Sequence, residues 1–125
     1  MIELVFFRVR EVELKQLPPD SVPTERENAM MQLGRVVEIN PKDNKRARIF
    51  LRSEMVFSQV KLVLVSETRF RNPDGFTSES INSDETLKEL INMFWPQHLE
   101  AIKFLSEKAG YQIKGLPEKI DKLEG

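Results

Sequence analysis

Residues 46–71 read RARIFLRSEMVFSQVKLVLVSETRFR, and their alternation decides the fold. Ala47, Ile49, Leu51, Ser53, Met55 and Phe57 fall in one phase, while Arg46, Arg48, Arg52 and Glu54 fall in the other. A period of two belongs to a strand with one buried and one wet face. Ser58 and Gln59 make a short link, after which Val60, Leu62, Leu64, Ser66, Thr68 and Phe70 resume the pattern, now with Val63 and Val65 on the other face. A strand apolar on both sides is central in its sheet, or covered on both sides in an assembly.

Working back from this pair, Asn40-Pro41-Lys42-Asp43-Asn44 is turn chemistry, and a strand is expected over 31–39. Pro18, Pro19, Asp20, Ser21 and Pro23 forbid regular pairing, so the stretch to about Asn28 is a polar crossover loop. Before it, Val5, Phe7 and Val9 share one phase and Val12 and Leu14 the other, which predicts a long strand over 3–17 with a bulge near Arg10.

Working forward, Asn72-Pro73-Asp74-Gly75 breaks the sheet, and Asn82 with Glu85 has capping-box spacing, so a helix should begin near Ser83. Leu87, Ile91, Phe94, Trp95, His98, Leu99, Ile102, Leu105 and Ala109 share one face of that helix if it continues through Pro96 with only a kink. Gly110 then ends it, and Ile120 with Leu123 marks a short second helix over 118–123. The expected fold is α+β. A four-stranded antiparallel sheet is packed by one long kinked C-terminal helix and a short last helix. One domain covers 1–125, with a sheet half over 1–72 and a helical half over 82–125.

Bulk composition narrows the function. A chain of 125 residues that is 40% apolar fills one core. Nineteen basic residues against twenty acidic ones exclude a polyanion-wrapping protein, although residues 1–72 carry +3 and residues 73–125 carry −4. The absence of cysteine removes disulfides, thiolate metal sites and thiol nucleophiles, and fits the reducing cytoplasm. No apolar run approaches the ~20 residues that span a bilayer, so membrane insertion is not expected.

Nothing in the sequence marks a catalytic centre. His98 stands alone among apolar helix positions and reads as a packed or interface histidine, with no partner for metal ligation. Pairs such as Glu85 and Glu89 sit where solvated carboxylates belong, and no phosphate-cradling or nucleophile-elbow motif occurs. The reading is a non-enzyme without cofactor or metal. Arg46, Arg48, Arg52, Lys61, Arg69 and Arg71 around Phe50 raise a second reading, a basic sheet face for single-stranded nucleic acid, which Glu54 and Glu67 dilute. Leu90, Ala101 and Phe104 form a further apolar ribbon on the long helix, which invites a partner helix and makes self-association the expectation; a purely structural oligomer is the third reading.

The helical half also carries a resemblance. Asn92-Met93-Phe94-Trp95-Pro96, then Glu100-Ala101-Ile102, Leu105, Gly110 and Leu116-Pro117 are similar in type and spacing to the SecB family of export chaperones. The strand order and the proline-rich crossover resemble that family too. The resemblance implies a dimer of dimers joined through the long helices, and a holdase that captures unfolded polypeptides without ATP. It also implies a client groove between the crossover and the last helix. Here that groove maps onto Leu17, Val22, Met30, Met31, Tyr111, Ile113, Leu116, Ile120 and Leu123. Thioether side chains suit varied clients because they repack. Export members typically present an acidic sheet surface to the translocase motor, whereas this sheet half is +3. Coupling to that motor is therefore left open, and a solitary member serving a dedicated client, such as an antitoxin, fits as well.

Overall fold

The chain runs β1 (Glu3–Gln16), β2 (Met30–Ile39), β3 (Arg46–Phe57), β4 (Val60–Arg71), α1 (Ser78–Ile81) and α2 (Asp84–Lys108). This computed structural model describes residues 1–16, 30–57, 60–111 and 116–121; the side chains of Met30 and Phe57 fall outside that set. The strands form one antiparallel sheet in the order β1-β4-β3-β2. The strand with apolar residues in both phases, β4, is central, as its composition requires.

Local chemistry explains each connection. Between β2 and β3, the Asn40 side chain accepts from the Lys42 amide at 2.9 Å and the Asp43 side chain from the Lys45 amide at 3.0 Å. These side chains imitate backbone turns and so reverse the chain tightly. After β4, Asn72 accepts from the Gly75 amide at 2.9 Å, and Gly75 takes φ 86° beside the Asn44 side chain. Only glycine adopts that conformation freely. The register of β1 against β4 skips once at Val5 and once at Arg10, so the bulge expected near Arg10 is present, together with another close to the N-terminus.

The helical half differs from expectation in its caps. Thr77 and Ser80 make the capping box, which opens the short helix α1, whereas Asn82 is the C-cap of α1 and Ser83 caps α2 by accepting from the Thr86 amide. α2 passes through Pro96, whose ring nitrogen has no hydrogen to offer the Asn92 carbonyl one turn back. At its far end, Gly110 at φ 87° donates to the Glu107 carbonyl at 3.0 Å, and Tyr111 to the Ser106 carbonyl at 2.8 Å. This pair of bonds is a Schellman stop. The short helix expected over 118–123 is not formed across its described part: residues 116–121 have no regular secondary structure, with a bend at 118–119.

The core lies between the sheet and α2. Ala47, Ile49, Leu51 and Phe70 meet Leu87, Ile91, Phe94, Trp95 and Leu99 in one cluster, and Met55, Val60, Leu62, Leu64 and Ile102 make a second. Phe94 sits 6.2 Å from Phe7 and 6.1 Å from Phe70, both in tilted geometry. Such pairs add to the burial term. Leu90 requires a correction, because it is 1% exposed and belongs to the first cluster with Phe76 and Ile81. The segment carrying Phe76 and Ile81 widens the covered arc of α2, and Leu90 falls inside it. No described helix is long and apolar enough to cross a membrane.

Candidate functional site

The helix-facing side of β2 is where the apolar interior opens toward solvent. Met31, Leu33, Val37 and Ile39 alternate along the strand and are only partly buried, because β2 is an edge strand that α2 does not fully cover. Met31 and Leu116 pack against both core clusters, and Tyr111, Leu105 and Ala101 join them at the second. Sequence positions 31, 111 and 116, nominated together, are each partly buried against the second core cluster and make a half-covered apolar strip along it.

The remaining nominated positions fall elsewhere. Leu17, Val22, Ile113 and Leu123 lie outside the described residues, as does the side chain of Met30, whose backbone opens β2. Ile120 is 4% exposed and belongs to the main core rather than to an open wall. Its place is set by Asn92, which donates Nδ2–H to the Ile120 carbonyl at 2.9 Å and accepts the Ile120 amide at 2.7 Å. Trp95 adds a third bond, from Nε1–H to the Pro117 carbonyl at 2.9 Å. Segment 116–121 is therefore clamped on α2 along the border of the strip. Sequence reasoning passed over Leu33, Val37 and Ile39, although their period-two spacing was visible. It also passed over the clamp, whose only local sign is an asparagine in the middle of a helix.

Beneath the clamp lies a buried polar pair of contacts. His98 Nδ1 is 2.7 Å from Ser66 Oγ and Nε2 is 2.9 Å from Ser53 Oγ, and the ring stacks on Trp95 at 5.4 Å. Burial lowers the His98 pKa from its ordinary value to about 4, so the ring is neutral near pH 7. The histidine ties α2 to the two central strands, which agrees with a packed role. Among the described residues no group of three His, Asp or Glu is placed to hold a metal ion.

The ribbon nominated for self-association divides in three. Leu90 is buried as described, Ala101 is partly buried against the second cluster, and Phe104 is 57% exposed. Met93, also exposed, lies three turns before Phe104 on nearly the same line of α2. Val9, Val12 and Leu14 of β1 are a further exposed row on the helix side of the other sheet edge.

The opposite sheet face carries the nominated arginines. Glu67 has its side chain fully covered there, with Arg8 and Arg10 each 3.1 Å away and Arg69 at 2.8 Å. Burial alone would raise its pKa, but the hydrogen bonds and charges of Arg69 and Arg8 outweigh that and hold it below the ordinary carboxylate value. Lys61 and Arg52 are drawn to Glu54 at 2.8 and 3.5 Å.

No protein-family model and no curated protein sequence matches the chain. Among solved structures it is similar to the Mycobacterium tuberculosis Rv1957 SecB-like chaperone, solved in complex with a ChAD peptide from the Rv1956 HigA1 antitoxin. The TM-score is 0.65 over 93% of this chain and 89% of that one, at 9% sequence identity. Four antiparallel strands, the long helix behind them and this neighbour agree: the chain has the SecB-like chaperone fold.

Proposed function

We propose that this protein is a SecB-like holdase, which binds unfolded or non-native polypeptides without ATP. The observation that carries the reading is the strip of Met31, Tyr111 and Leu116, apolar and half covered, on a fold shared with a chaperone seen holding a peptide. A side chain from an unfolded chain gains roughly 25 cal/mol per Å² of apolar surface it buries. Ordering the client costs much of that, so one strip binds weakly and several strips in one assembly bind well. A homo-oligomer, a dimer of dimers in this reading, supplies the repetition. Phe104 and Met93 on α2 support it, as does the exposed row of β1. The client is either a range of unfolded chains or one dedicated partner such as an antitoxin, and the setting is the cytoplasm, where a chain without cysteine is at no disadvantage. No catalytic step is part of the proposal.

Substitution tests the strip. Replacing Met31 and Leu116 together by serine removes two apolar anchors at the border of the core, and affinity for a permanently unfolded protein should fall about tenfold or more. Circular dichroism and gel filtration should be unchanged. Ile120 is the wrong target, since its loss would empty the core. Unaltered affinity in the double variant would move the client site away from the strip.

A further inference from the structure

Across β3 and β4, Arg46 stands directly opposite Arg71, and Arg48 directly opposite Arg69. Like charges placed in this way destabilise a sheet unless something takes up their charge. For two of the four, internal carboxylates do so: Glu38 holds Arg48 at 2.6 Å and Glu67 holds Arg69 at 2.8 Å. The other pair is held more loosely. Arg46 reaches Asp43 at 3.5 Å between two well-exposed side chains, and Arg71 stands opposite the exposed Glu3 of β1 without forming an ion pair among the described residues.

These two guanidinium groups line a cleft of about 590 Å³ at the end of the sheet. The bulge in β1 brings Val5, 60% exposed, into the cleft together with Phe6. Arg8 and Arg69 lie over the Phe6 ring at 5.6 and 5.1 Å, and Arg48 over Phe50 at 5.1 Å, so these cations rest against aromatic rings. Loosely matched guanidinium donors beside exposed apolar side chains make a site for an anion attached to something apolar.

We infer that this cleft docks an acidic, extended polypeptide segment whose carboxylates pair with Arg46 and Arg71 while an apolar side chain two residues along settles on Val5 and Phe6. Guanidinium matches carboxylate geometry with two parallel N–H bonds. An extended peptide can set a charge and an apolar group two residues apart, on the same face. A nucleic-acid strand carries a phosphate at each nucleotide, and here it would meet Glu38, Asp43 and Glu67 interspersed among the arginines. The cleft lies at the end of the sheet that holds Ile39, whereas Met31 is at the other end of β2. Failure of the cleft to bind would leave the holdase reading intact.

The test uses the full chain and a fluorescein-labelled peptide of repeating Glu-Ser-Phe-Ser. Anisotropy is read at ionic strengths of about 0.05 and about 0.3 M, which shortens the reach of exposed charges by a factor of about 2.4. Arg46→Ala with Arg71→Ala removes the loosely held pair and leaves the ion pairs of Glu67 and Glu38 in place. The acidic peptide should bind, weaken as salt rises, and weaken about tenfold or more in the double variant. A lysine-for-glutamate version of the peptide should bind the parent and the double variant alike, and suppression of aggregation by the double variant should match the parent. Failure of the acidic peptide to bind, undiminished binding in the double variant, or tighter binding of an oligothymidylate of equal charge would each overturn the inference.

Discussion

His98, the single histidine of the chain, is enclosed at both ring nitrogens by serines of the central strands. Its sequence setting, an apolar helical stripe, foretold burial, but the serines were invisible as partners because each reads as one more small residue of a buried strand face. Their pairing with His98 exists only once α2 lies across β3 and β4. A consequence in pH follows. The ring titrates near 6.5 when unfolded and at about 4 when folded, so below pH 6.5 the unfolded chain takes up a proton that the folded chain refuses. The stability held in the neutral ring is therefore complete above pH 6.5 and is lost progressively as pH falls toward 4, amounting to about 3 kcal/mol. Urea unfolding across that range should show the decline, and His98→Gln should remove most of the slope attributable to this group. An unchanged slope in the variant would assign the acid sensitivity to other groups.

At the level of elements, the strands were legible because one face is wet and one buried, and the bulge at Arg10 because it reverses the phase of β1. The caps were less so. Residues 77–86 read TSESINSDET, in which several side chains are capable of capping, and only tertiary packing of Phe76 and Ile81 selects Thr77 and Ser83. The expected last helix failed for a related reason. Spacing between Ile120 and Leu123 suits a helix, but Asn92 occupies both backbone groups of Ile120 as a neighbouring strand would. Helical bonding at that residue is pre-empted. Asn92→Ala should cost about 1–3 kcal/mol, since two bonds disappear and buried backbone groups are left without partners. Asn92→Asp keeps an acceptor for the Ile120 amide and should lose less. Amide exchange at Ile120 should quicken in the alanine variant. Equal stability of both variants and the parent would show that the clamp contributes nothing.

In the whole molecule, one long helix covers a sheet wider than itself, and both edges keep apolar residues partly uncovered: Val9, Val12 and Leu14 at β1, and Met31, Leu33, Val37 and Ile39 at β2. Single exposed apolar residues are ordinary on a surface, whereas contiguous rows of them are the kind of patch that a partner covers. The grouping of Met31, Tyr111 and Leu116 rests in the sequence on a family resemblance rather than on their spacing, and all three pack against the second core cluster. Sequence reasoning misplaced Ile120 and Leu90, because periodicity says which residues share a face but not how far neighbouring segments wrap around it. The account joins these uncovered strips to the SecB-like fold in one claim, capture of non-native polypeptide without an energy source. The most direct measurement is light scattering from a chemically unfolded protein diluted into buffer containing this chain and no nucleotide. Scattering should be suppressed at near-stoichiometric amounts of the chain, while a natively folded protein forms no complex with it; aggregation that proceeds at the uninhibited rate would contradict the claim.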